Sequence, residues 1–199
     1  DDPSRAVIEG IEVLIAADEL VSCATARVVH ATTLFSNALI ERSGAKTGLI
    51  TTEGFRDTLE IGRERKYGLY DIAIRKPKPL VPRDLRMEAN ERVDADGRVL
   101  AALDIETVLA AGKALDDAGV QSIAVVFLHA YANADHETQA VAALTAAFPN
   151  ISISASSEVA PELREYERAS TTAANAYIKP LAENYLDSLA SKVNDCGIE

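Results

Sequence analysis

The sequence predicts an α/β fold, a layered sheet with flanking helices, and three observations predict it. Patterns with an apolar period of three to four residues alternate along the chain with short runs rich in Val and Ile. Those runs are almost continuously apolar, and each is bounded by polar residues or glycine. Continuous apolarity marks strands covered on both faces, and intervening helices supply the crossovers that parallel strands need. With 199 residues, 48% of them hydrophobic and 26% charged, the composition supports a single globular core, and 1–199 reads as one α/β domain.

The elements follow in order. A helix is expected over 4–19, opening beside a proline as though an earlier element had preceded it. ARVVHA (26–31) reads as a strand that delivers His30, Thr32 and Thr33 to a helix over 34–43, and KTGLIT (46–51) reads as the next strand. Residues 63–100 break the alternation and are expected to form an insertion or arm. In that arm RERK (63–66) is a solvated surface, KPKPLVP is extended because each proline removes a donor, and DADG turns a β-hairpin. Then come a helix over 104–118, a strand QSIAVVFLHA (121–130), a helix over 135–148, a strand ISISAS (151–156) and a long helix over 168–194.

Bulk properties exclude several functions. Thirty-one acidic against twenty basic side chains give a net charge of -11, which opposes binding to nucleic acid or to an anionic membrane. No apolar run reaches the length of a membrane helix. Cys23 and Cys196 have neither disulfide-framework nor zinc spacing, so a reducing, cytoplasmic setting is expected and no metal site. The chain has no GxSxG, GxxxxGK[ST] or GxGxxG motif, hence no self-contained acyl-transfer elbow or phosphate loop.

Three stretches carry polar groups where chemistry is expected. In VVHATTLFSNALIER, Thr32 and Thr33 end the expected strand, and Asn37 lies one helical turn beyond Thr33 on the same side. Such groups suit carbonyl or phosphate oxygens at the C-terminal end of a strand. The plainer account from spacing alone is that Thr33 caps the helix and His30 is a hydrogen-bonded interior histidine. In SSEVAPELREYERASTTAANAYIKP, the long helix is expected to begin among Ser170, Thr171 and Thr172, with Asn175 beyond. A helix start of that kind holds an anion if Arg164 or Arg168 forks onto it; otherwise it is a capped helix preceded by surface ion pairs. In HAYANADHE (129–137), His129, His136 and Glu137 lack the HExxH order of a zinc helix, and Asn133 or Asp135 caps a helix more simply.

These stretches, with His-Ala-Thr-Thr followed by Asn-Ala-Leu and Glu-Arg-x-Gly, then Thr-Thr-x-Gly-Phe-Arg-Asp and ANERVDADGRVL, resemble the N-terminal domain of the hydantoinase/5-oxoprolinase family over essentially the whole chain. Ala31 stands where many relatives carry glycine. The resemblance implies part of an actin-like ATPase (ribonuclease H-like) superfold and an enzyme using ATP and Mg²⁺. Such an enzyme opens a cyclic amide, hydantoin or 5-oxoproline, through a phosphorylated intermediate; the related alternative is a subunit of an ATP-dependent ketone carboxylase. It also implies that His30, Thr32, Thr33 and Asn37 line a substrate or phosphate cleft and that Arg168, Ser170, Thr171, Thr172 and Asn175 form another wall. The general base stays unassigned. The family's phosphate-gripping N-terminal hairpin and its C-terminal hydantoinase domain are missing partners on this reading, and a second subunit is a further one. The chain alone is therefore expected neither to hold ATP tightly nor to turn over. A different class of function, a non-catalytic interaction module using the acidic surface and the arm, is the competing expectation.

Overall fold

The computed structural model describes residues 4–17, 28–63, 70, 73 and 76–198. The chain divides into a larger unit, residues 42–180, and a smaller one of residues 1–41 and 181–199.

The larger unit is built on a four-stranded, all-parallel sheet of order β2-β1-β5-β6, comprising β1 (Thr47–Thr52), β2 (Arg86–Ala89), β5 (Ser122–Val126) and β6 (Ser152–Ala155). Every residue of β1 and β5 is buried, as the continuous apolarity of their sequences requires. Alternate residues of β1 serve opposite faces. Gly48 meets Leu115 of α4 (Ile105–Asp117), while Leu49 and Thr51 share a small cavity with Arg168 and Ala169 of α7 (Glu165–Asp195). Helix α5 (Asp135–Ala147) packs beside α4 and against β5 and β6. The result is three layers with the core on both sides of the sheet.

Local chemistry fixes the helix ends. Asp104 caps α4 by accepting from the Glu106 amide at 3.0 Å, and Val108, Ala111, Gly112 and Leu115 form the buried stripe. Gly119, at φ 72°, ends the helix, with the Val120 amide reaching back to the Leu115 carbonyl and the Gly119 amide to that of Asp116. The cap position of α5 is Ala134, not Asn133 or Asp135 as expected, and Asn133 just before it accepts from the Asp135 amide at 3.0 Å.

The expected hairpin is present as β3 (Arg92–Val93) and β4 (Val99–Ala101). The Asp94 carboxylate accepts from the amides of Asp96 and Arg98, and Gly97 takes φ 82°. Those hydrogen bonds, led by the one from the Arg98 amide, hold the Asp94 carboxyl below its ordinary range. Residues 76–82 are non-helical, as their prolines require, whereas most of the RERK run lies outside the described residues. The same stretch, 63–100, also carries β2, an integral strand of the sheet that its sequence RMEA does not announce.

The smaller unit holds α1 (Arg5–Ala16), α2 (Leu34–Glu41) and the C-terminal part of α7. Lys192 donates to the Ser4 hydroxyl at 2.7 Å, and the Phe35 ring meets Tyr185 edge-on. The strand expected over 26–31 is not formed by residues 28–31, and Val29 is 83% exposed. β-branched residues make a strand only beside an edge that pairs with them, and among the described residues of this unit there is none. Two further expectations are corrected. The strand in 121–130 stops at Val126, because side chains take both backbone groups of Phe127 and the chain turns at His129. The last helix begins at Glu165, not among the hydroxyls, since Glu165 and Glu167 suit the positive end of the helix dipole. No helix among the described residues is long and apolar enough to cross a membrane.

Gly44 packs against Tyr177, where an added Cβ would lie 2.3 Å from the ring and 2.6 Å from the backbone oxygen. Backbone cannot yield as a side chain tip does. Gly44→Ala is expected to destabilise the fold by about 1–3 kcal/mol through overpacking, measured as a lowered denaturation midpoint at unchanged slope.

Candidate functional site

Parallel strands end on one side, so the C-terminal residues Thr52, Ala89, Val126 and Ala155 define a single edge. In sheets of this kind ligands bind beyond that edge. Here the edge carries a layer of buried polar side chains: Thr52, Glu91, His136, Glu137, Ser156 and Arg168.

Two connected networks satisfy them. Glu137, at the first turn of α5, accepts from the Phe127 amide (2.9 Å), the Ser156 hydroxyl (2.6 Å) and the Ser157 amide (2.7 Å). Arg168 donates Nε to Ser156 Oγ (3.1 Å), Nη1 to the Glu162 carbonyl (2.6 Å) and Nη2 to the Phe127 carbonyl (2.9 Å). Burial lowers the Arg168 pKa, and the Glu137 charge opposes that shift. In the second network the His136 Nδ1 atom meets Glu91 at 2.8 Å, Glu91 accepts from the Thr52 hydroxyl, and Thr52 Oγ1 accepts from the Leu128 amide at 2.9 Å. Consecutive backbone groups of Phe127 and Leu128 are thus clamped by side chains from β1, α5 and α7.

The clamped residues lead directly into His129, a non-glycine at φ 56°. Left-handed backbone costs a residue with a Cβ about 1 kcal/mol or more, and such strain gathers at functional sites. The His129 Nδ1 atom lies 3.3 Å from the Tyr131 hydroxyl, and the Arg168 guanidinium sits over the Tyr131 ring at 5.6 Å.

The loop after β1, Glu53–Asp57, contains most of the Thr-Thr-x-Gly-Phe-Arg-Asp motif, and ion pairs fix it. Glu88 of β2 accepts from the amides of Gly54 (2.9 Å) and Arg56 (3.3 Å), and Arg92 stacks on Phe55. Asp57 takes both guanidinium arms of Arg83, at 2.8 and 3.0 Å, while the buried Arg86 donates to Glu60 at 2.9 Å. The hydrogen bond from Arg83 holds the Asp57 carboxyl below its ordinary value, and Asp57 in turn raises Arg83.

The residues singled out from sequence fall into two sets. In the smaller unit, His30 Nε2 lies 2.6 Å from the Tyr185 hydroxyl, so its ring is hydrogen-bonded, but the residue is exposed and not interior. Thr32 Oγ1 accepts from the Leu34 amide at 3.1 Å, the Thr33 carbonyl accepts from the Asn37 amide, and the Asn37 side chain reaches Thr33 Oγ1 at 3.5 Å. In the larger unit, every nitrogen of Arg168 is taken by the protein, Thr172 donates back to the Arg168 carbonyl, and Asn175 donates to Ser154. The hydroxyls lie inside α7, away from the free amides of its first turn, so the expected anion-holding helix start is not built there. Thr171 is exposed, and Ser170 lines a groove of about 180 Å³ with Tyr166, Lys78 and Leu80.

Sequence reasoning missed Glu91, Thr52, Tyr131 and the anchoring role of Glu137. HAYANADHE had been weighed for a metal; the signal it held was an acidic residue in the first turn of a helix, aimed back at the preceding loop.

A parallel sheet with helices on both faces and a polar C-terminal edge defines an α/β domain of the layered type. A profile of the hydantoinase/oxoprolinase N-terminal region matches residues 1–148, and the chain belongs to this family. The caprolactamase subunit alpha of Pseudomonas jessenii is 35% identical over 173 residues, covering 86% of this chain and 25% of that protein. The acetophenone carboxylase gamma subunit of Aromatoleum aromaticum is 31% identical over 181 residues, covering 84% of this chain and 25% of that protein. The crystal structure of the ATP-dependent caprolactamase from Pseudomonas jessenii superposes with a TM-score of 0.87 at 32% identity, covering 98% of this chain and 29% of that one. The chain thus spans about a quarter of the length of these relatives.

The caprolactamase that this chain resembles is ATP-dependent. Among the described residues no three His, Cys, Asp or Glu side chains are grouped to hold a metal ion, and each nitrogen of the buried Arg168 already donates to a protein oxygen.

The Asp57–Arg83 pair gives a pH test. A carboxyl whose folded pKa is depressed contributes stability above its unfolded value and loses that contribution as pH falls through the folded value. Wild type is therefore expected to be more stable than Asp57→Asn at neutral pH, with the gap closing below about pH 4. Thermal melts of both proteins from pH 7 downward check it.

Proposed function

We propose that this chain is the N-terminal α/β domain of an ATP-dependent enzyme that opens a cyclic amide through a phosphorylated intermediate. The likeness that carries the reading is the one to caprolactamase, by sequence and by fold, over nearly the whole chain. The polar edge of the sheet agrees with it, since ring opening of an amide asks for fixed hydrogen-bonding groups around a carbonyl and needs no serine or cysteine nucleophile in this domain.

In this proposal the chain binds and orients, and the groups that hold ATP and Mg²⁺ come from the C-terminal hydantoinase domain and the phosphate hairpin of the complete protein. Bound there, ATP supplies a phosphoryl group that activates the amide oxygen. In the larger unit Glu137, Arg168 and the Glu91–His136 pair hold the loops at the edge, and the half-buried Ser170 and exposed Thr171 present hydroxyls; in the smaller unit Thr32, Thr33 and Asn37 are exposed polar residues suited to oxygen ligands. We place the enzyme in the cytoplasm, working with a second subunit in an oligomer. The second reading, a ketone carboxylase subunit, rests on the 31% identity to the acetophenone carboxylase gamma subunit.

Phosphate release by the full-length protein with its partner subunit separates the two. Release stimulated by caprolactam, hydantoin or 5-oxoproline without bicarbonate is the expected result, whereas release that requires acetone or acetophenone supports the carboxylase. Titration of MgATP into the present chain alone is expected to show no micromolar binding, and tight binding would refute the division of labour described here.

A further inference from the structure

The loop after β5 is held more firmly than a connection needs to be. Phe127 is bonded through its amide to Glu137 and through its carbonyl to Arg168, and Leu128 through its amide to Thr52. All three side chains are buried. The next residue, His129, is held in left-handed backbone, where glycine would sit without cost.

The ring of His129 is oriented as well. Tyr131 meets its Nδ1 atom at 3.3 Å, and Tyr131 is in turn covered by the Arg168 guanidinium at 5.6 Å. Arg168 thus reaches the histidine by two routes, the Phe127 carbonyl and the Tyr131 ring. Among the described residues, Nε2 of His129 has no partner. The residue is half-buried and follows the C-terminal end of β5, the side of such a sheet on which ligands bind.

We infer that His129 is a substrate-contacting residue whose Nε2 hydrogen-bonds the carbonyl oxygen of the cyclic amide, and that Tyr131 and Arg168 are the positioning residues that aim it. The inference rests on the amide-opening reading of the full-length enzyme. Tyr131 fixes the ring through Nδ1, which leaves Nε2 as the face turned to ligand, and Arg168 fixes both Tyr131 and the backbone turn.

The test uses the full-length enzyme with its partner subunit. His129→Gly relieves the left-handed strain, so the fold is kept or stabilised, yet kcat/KM for the cyclic amide is expected to fall at least about tenfold with the KM for MgATP unchanged. Tyr131→Phe keeps the ring under Arg168 but frees the imidazole, and is expected to lower kcat more than it raises KM. A stable His129→Gly enzyme with kcat/KM within about twofold of wild type overturns the contact. A loss confined to the KM for MgATP also overturns it, since the contact would then be to a phosphoryl oxygen. Hydrogen exchange of the peptide spanning 127–133 reads positioning without turnover: Arg168→Lys is expected to accelerate it, and unchanged exchange overturns the positioning role. Wild-type enzyme inactive on every cyclic amide would sink the parent reading and the substrate contact together, and the exchange result would still decide the role of Arg168.

Discussion

The structure of the larger unit depends on one buried cation. Arg168 is fully enclosed, and a guanidinium in that position is tolerable only when its donors are satisfied and its charge is opposed. The fold meets both demands with groups from separate elements: the carbonyl that follows β5, the hydroxyl that follows β6, the Glu162 carbonyl before α7, and the Glu137 carboxylate on α5. Removing one partner from such a network typically costs about 3–5 kcal/mol, because the charge that remains is left uncompensated. The consequence is geometric as well as energetic. Strand ends, helix starts and the loop carrying His129 cannot shift independently of one another.

This constraint explains why the edge of the sheet is polar and yet ordered. Four parallel strands ending together leave carbonyls and amides that a core cannot absorb. Thr52, Glu91 and His136 take up one part of them, Glu137 and Arg168 another, and Glu88 holds the amides of the loop after β1. The same groups that satisfy the backbone therefore also fix the loops beyond the sheet.

Much of the fold was legible in the sequence because its signals are local. The stripe Val108, Ala111, Leu115 with Asp104 before it and Gly119 after it specifies α4 unaided, and Asp94 with Gly97 specifies the hairpin. Other elements depend on partners that sequence does not show. Val28 and Val29 have the composition of a strand but no edge to join among the described residues, and Arg86 lies in a strand while reading as a surface residue, since its burial depends on Glu60 and the Val81 carbonyl. The start of α7 was hidden for the opposite reason: a run of charges resembles a solvated loop, although acidic residues there favour the helix. The candidate site was legible as a neighbourhood and not as a set of roles. Arg168 stands near hydroxyls in the sequence yet is bonded inward, whereas Glu137 matters through its bonds to backbone amides and Tyr131 through its contacts with His129 and Arg168, which spacing does not show.

The proposed role of the edge held by Arg168 is to meet substrate. A crystal structure of the full-length enzyme with a bound cyclic amide tests it most directly. The expected result is the amide oxygen at hydrogen-bond distance, about 3 Å, from Nε2 of His129, with the Arg168 bonds to Phe127 and Ser156 intact. An amide bound elsewhere, with His129 facing only solvent, would contradict it.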